Sequence, residues 1–147
     1  MLYVLPSSFL WDISPDRSYG AIALYERALI SPYVDNEEEE LTLYVVSQAD
    51  DCAYRVTQDG MLPSFSPDGK FLSYLAATSS ADDTPVICLY DCQTQEKRVV
   101  EGTLGAATVF WIDDSTLGFT RESGEDTYAI LKVSLPTGQV EILIGGS

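Results

Sequence analysis

The sequence predicts an all-β chain made of three repeated four-strand units. Two observations carry this. A turn motif flanked by apolar strands occurs three times, and the strands that follow each copy keep a common spacing. The clearest copy is Ser64-Phe65-Ser66-Pro67-Asp68-Gly69-Lys70-Phe71-Leu72-Ser73-Tyr74. An apolar strand ends in an aromatic residue, and the chain then reverses. Pro67 presets φ at the second turn position, Asp68 bonds its own backbone, and Gly69 accepts positive φ. A second strand, Phe71 to Ala76, follows at once, so the unit is a tight hairpin.

The first copy runs from Leu10 to Tyr19 and turns at Ser14-Pro15-Asp16, with Arg17 where the middle copy has glycine. The third runs from Phe110 to Phe119 and turns at Asp113-Asp114-Ser115. Asp16, Asp68 and Asp114 are read as turn formers. Trp11, Phe65 and Trp111 are read as core residues.

Two more strands are expected in every unit. They are Leu41–Ser47 and Cys52–Thr57, then Pro85–Asp91 and Lys97–Val100, then Thr127–Ser134 and Gln139–Ile144. Polar turns at 48–51, 92–95 and 135–138 join each pair. The third-strand ends Ser47, Asp91 and Ser134 are spaced 44 and 43 apart. That is the period of a four-stranded propeller blade, about 40–50 residues. The units span about 8–58, 61–101 and 106–145 of a single 147-residue domain.

Phe-Ser-Pro-Asp-Gly-Lys followed by an aliphatic strand resembles the repeat of TolB-type, WD-repeat-like β-propellers. It is similar also to blades in the propeller domains of prolyl-oligopeptidase and dipeptidyl-peptidase relatives. The resemblance covers about residues 8–145 and is strongest in the middle copy. It implies a propeller that typically closes with 4–8 blades. Three blades leave two open apolar faces, which soluble monomers rarely tolerate. Homodimerisation would give six blades, with the first blade of each chain on the third of the other. A flattened sheet, or another chain supplying the missing blades, would also cover those faces.

Composition narrows the function. The formal net charge is −15, from 8 Lys plus Arg against 23 Asp plus Glu. Such a chain repels nucleic acid and anionic lipid, so neither is an expected partner. Apolar residues make up 46 %, which disfavours disorder. There is no histidine, so this chain alone supplies neither a Ser-His-Asp triad nor a His-ligated metal. Paired-carboxylate chemistry stays formally open, but no pair is marked as buried. The peptidases it resembles keep their nucleophile on a separate hydrolase domain, and no Gly-x-Ser-x-Gly elbow occurs here. No catalytic, metal-binding or cofactor-binding residue is therefore assigned, and no cofactor is expected.

The acidic pairs Asp50-Asp51, Asp82-Asp83 and Asp113-Asp114 do not match a calcium loop. Cys88 and Cys92 lie about 13 Å apart along a strand, too far to share zinc. Cys88 is expected to pack as a small hydrophobe and Cys92 to be an exposed thiol. Three cysteines, no signal-like N-terminus and no long apolar run fit a cytoplasmic chain.

Two segments stand outside the repeat. Leu2, Tyr3, Val4 and Leu5 either pair with a strand of a second copy, locking a ring, or extend the first inner strand. Residues 25–40 form the longest connection, where Tyr25–Ile30 extends the second strand or makes a short helical turn. Tyr33 and the run Glu37, Glu38, Glu39 and Glu40 form either a solvated loop or an acidic patch for a basic partner segment. The expectation is a non-catalytic scaffold for protein–protein interaction. A ligand- or cation-binding, or else hydrolytic, propeller with an acidic channel is one alternative. A subunit of a heteromeric propeller is another.

Overall fold

A computed structural model describes residues 8–27, 39–58, 60–77, 84–124 and 127–144 of the chain. These residues form twelve β-strands and no helix. The first four are β1 (Ser8–Ile13), β2 (Tyr19–Arg27), β3 (Glu39–Ser47) and β4 (Cys52–Gln58). The next are β5 (Met61–Phe65), β6 (Phe71–Ala77), β7 (Pro85–Asp91) and β8 (Lys97–Val99). The last are β9 (Ala106–Asp113), β10 (Thr116–Gly124), β11 (Thr127–Ser134) and β12 (Val140–Ile144). They make three antiparallel sheets of four strands, each ordered as in the sequence. Each sheet is thus a meander of strands consecutive in the sequence.

The sheets stack face to face in chain order. β1 lies against β5, and β5, β6 and β7 lie against β9. Alternating side chains of the middle sheet therefore serve two cores. Phe65, Leu72, Tyr74, Val86, Cys88 and Tyr90 pack with Ala21, Leu43, Val45 and Val56 of the first sheet. Leu75, Ile87 and Leu89 pack with Leu117, Phe119, Leu131 and Val133 of the third. A strand covered on both faces needs a continuous apolar run, and β7 supplies Val86-Ile87-Cys88-Leu89-Tyr90, all buried.

Polar bonds join the sheets at their edges. Lys97 Nζ donates to the Val56 carbonyl at 2.8 Å, tying β8 to β4. The buried Thr103 donates to the Val100 carbonyl at 2.7 Å and accepts from the Ile87 N–H at 3.1 Å. That fixes the connection into the third sheet without leaving a buried donor unpaired.

Several expectations change. Glu39 and Glu40 are not loop residues, because they continue β3, opposite Arg27 and Glu26 of β2. The β2–β3 ladder runs further than the charged sequence suggests. Tyr33, Glu37 and Glu38 lie outside the described residues, as do Leu2, Tyr3, Val4 and Leu5. Tyr25 to Arg27 extend β2, while residues 28–30 fall outside the description. Cys92 is buried, not exposed, since the turn after β7 folds it against the first sheet.

Candidate interaction surface

The repeated turns sit at corresponding ends of the three sheets. In the first, the Ser14 hydroxyl donates to Asp16 Oδ1 at 2.9 Å and accepts from the Tyr19 N–H at 3.0 Å. Asp16 Oδ1 also accepts from the Ser18 N–H at 3.0 Å. The middle turn repeats this bond for bond. Ser66 donates to Asp68 Oδ1 at 2.6 Å and accepts from the Phe71 N–H at 3.0 Å, and the Lys70 N–H donates to Asp68 Oδ1 at 3.1 Å. In both, the N–H three residues after the serine returns to the serine carbonyl at 2.8 Å. Pro15 and Pro67 occupy the second turn position, where no N–H is needed.

The third turn is shorter. Asp113 pairs directly with Thr116, leaving Asp114 and Ser115 at the tip. Its capping carboxylate belongs to Asp113, whose Oδ1 accepts from the Ser115 N–H at 2.9 Å. The expectation that Asp114 fills the place of Asp16 and Asp68 is thus corrected. A two-residue loop moves the acceptor to its first strand-end residue.

A second turn in each sheet is bonded to the first. The Ser18 carbonyl accepts from Gln48 N–H at 2.9 Å, Lys70 from Cys92 at 3.0 Å, and Ser115 from Leu135 at 2.9 Å. Adjacent sheets also touch here. A Cβ built on Gly69 would meet Asp16 Oδ1 at 3.6 Å, so the first two turns stack. Gly69 holds φ at +74°, and Arg17 takes the same left-handed conformation at +63°.

The electrostatics follow from these bonds. The Ser18 N–H and then the Ser14 hydroxyl hold the Asp16 carboxyl below its ordinary value. Burial pushes Asp68 up, but Ser66 and the Lys70 N–H outweigh it and leave it lowered. The Ser115 N–H lowers Asp113. All three stay ionised near neutral pH and have no proton to give. Burial pushes the Cys92 thiol up to about 12 and also raises Cys88, so neither supplies a thiolate. Among the described residues no three His, Cys, Asp or Glu side chains gather to hold a metal. The hydrogen bonds of this row fix the shape of the turns.

The two outward faces are the other feature. In the first sheet, Ile22, Leu24, Tyr44 and Val46 alternate with the residues facing the middle sheet and are half-buried. On the third sheet, Phe110, Ile112, Tyr128 and Ile144 are 41 %, 46 %, 58 % and 61 % exposed. Gly118 lies beneath the Phe110 ring, where a Cβ would collide with it. Sequence reading expected an open apolar face here but did not name its residues. Its signal was an isolated glycine within an apolar strand, which marks close approach. Of the expected core aromatics, Phe65 is buried. Trp111 packs on the second core and donates from Nε1 to the Ser64 carbonyl at 3.0 Å, while Trp11 is half-buried.

No protein-family model matches the sequence, and no curated protein is similar to it in sequence. Solved structures are similar in fold. The β-propeller domain of the Trilobed protease from Pyrococcus furiosus superposes with TM-score 0.70 at 14 % identity, over 95 % of this chain and 44 % of that one. A putative TolB from Agrobacterium tumefaciens gives TM-score 0.61 at 15 % identity, over 95 % and 50 %. An acylaminoacyl peptidase from Pyrococcus horikoshii gives 0.66 at 17 %, over 92 % and 25 %. The chain thus spans between about a quarter and a half of the length of these similar chains. At these identities the likeness shows the fold alone: an all-β chain whose three four-stranded sheets correspond to part of a β-propeller.

Proposed function

We propose that the chain is a non-catalytic β-propeller scaffold for protein–protein interaction, and that two copies close into one six-bladed ring. The observation that carries this is the pair of outward sheet faces. Each sits where the repeat elsewhere places a neighbouring sheet, and each keeps apolar side chains there. The length agrees, since the chain matches half of the putative TolB. The turn row supports a binding role over chemistry, because its carboxylates are engaged by backbone N–H groups. Charge opposes association of two acidic chains, but it is screened over about 8 Å at physiological salt.

Light scattering coupled to size exclusion tests the ring. The expected mass is about 32 kDa, twice the 16.1 kDa chain, and it should hold across dilution. A folded monomer overturns the ring. The scaffold reading is tested by turnover assays with ester, amide and glycoside substrates alongside capture of a defined partner. Turnover that survives repurification would overturn it.

A further inference from the structure

The strand pairings put two positions of each first strand in a common register. Ile13 lies opposite Gly20, Phe65 opposite Leu72, and Trp111 opposite Leu117. One residue earlier, Asp12 lies opposite Ala21, Ser64 opposite Ser73, and Phe110 opposite Gly118. Ile13, Phe65 and Trp111 are thus equivalent, as are Asp12, Ser64 and Phe110.

At each existing junction these two positions meet. The Phe65 N–H donates to Asp12 Oδ2 at 2.8 Å, and Trp111 Nε1 donates to the Ser64 carbonyl at 3.0 Å. The earlier sheet offers the Asp12-type residue and the later sheet the Phe65-type residue. Two members remain without a counterpart among the described residues: Phe110 at one end and Ile13, 48 % exposed, at the other. Both carry apolar side chains; at the internal junctions the acceptors are the Asp12 carboxylate and the Ser64 backbone carbonyl. Phe110 gains its room from Gly118, which replaces Ser73 and Ala21 of the other sheets.

We infer that Phe110 of one protomer packs on Ile13 of a second copy, forming the inner seam of ring closure. The seam joins unlike faces, so one two-fold axis along the channel generates it twice. A second copy is the fitting occupant because it brings the missing half of each pair. The inference rests on the dimer reading above.

The test uses the full chain with Cys52→Ser, which removes the exposed thiol; Cys88 and Cys92 are buried. Ile13→Cys and Phe110→Cys are made singly and together, and treated with a short bis-maleimide. The double variant should cross-link to a covalent dimer. The two single variants should do so only when mixed and exchanged, never each alone. In parallel, Phe110→Asp should halve the mass seen by light scattering, while Thr137→Asp, on an exposed turn, should leave it unchanged. A dimer mass with no mixed cross-link, or with Phe110→Asp still dimeric, overturns the seam and leaves the dimer reading standing. A monomeric parent chain overturns both and points to another protein as the occupant.

Discussion

β7 and β11 hold the same place in successive sheets but are buried differently. From Val86 to Tyr90 every residue of β7 is buried. Along β11 only Ala129, Leu131 and Val133 are. The backbone is the same kind of strand in both, paired on both edges. The difference lies in neighbours. β7 has a sheet on each side, and β11 has one among the described residues. The side chains record it. Leu89 and Lys132 are register equivalents, and Lys132 instead reaches Glu141 at 3.4 Å. A closing contact on this face would be wetter than the internal junctions, with its apolar content gathered around Phe110 and Ile112.

The largest predicted effect breaks this symmetry directly. Leu89→Ala should cost about 2–5 kcal/mol in urea unfolding, because it empties a packed core. Lys132→Ala should cost within about 0.5 kcal/mol. Equal losses would mean that both faces are covered to the same degree. The turns give a smaller contrast. Gly69→Ala forces a Cβ into a left-handed residue and should cost about 1–2 kcal/mol. Arg17→Gly at the equivalent place should instead stabilise the fold, by up to about 1 kcal/mol in urea unfolding.

The smallest effect is acid sensitivity. Asp16, Asp68 and Asp113 are lowered in the folded chain from an ordinary value of 3.8. Their stabilisation is full above the unfolded value and is lost as pH falls toward the folded ones. Thermal midpoints should therefore drop as pH falls below about 4. Asp68→Asn keeps the acceptor oxygen but not the titration, so it should flatten that slope. An unchanged slope in a triple asparagine variant would assign acid sensitivity to other carboxylates.

Much of the fold was legible because turn chemistry is local. Ser-Pro-Asp fixes a hairpin within a few residues and occurs twice, and the common strand spacing supplies the third sheet. β7 and β11 have the bounds expected of them. What stayed hidden depends on neighbours distant in sequence. Cys92 is buried by a turn folding onto the first sheet, and Glu39 extends a ladder whose partner is Arg27. The third turn hid for a subtler reason: Asp113 and Asp114 are chemically alike, and only loop length decides which one caps. The outward faces were legible as a necessity, but their residues were not, since Gly118 acquires meaning only beneath Phe110.

The unlike ends of the sheet stack carry a consequence for counting. Under the dimer proposal, a chain that presents one face at its start and a different one at its end would add copies head to tail. Assemblies of that kind would grow in steps of the three described sheets. Of the 4–8 blades at which such rings usually close, six is the one multiple of three. Were the rotation between sheets unable to close at six, the same two faces would wind copies into an open filament. The rotation from one copy to the next would thus choose between a finite particle and an unbounded one.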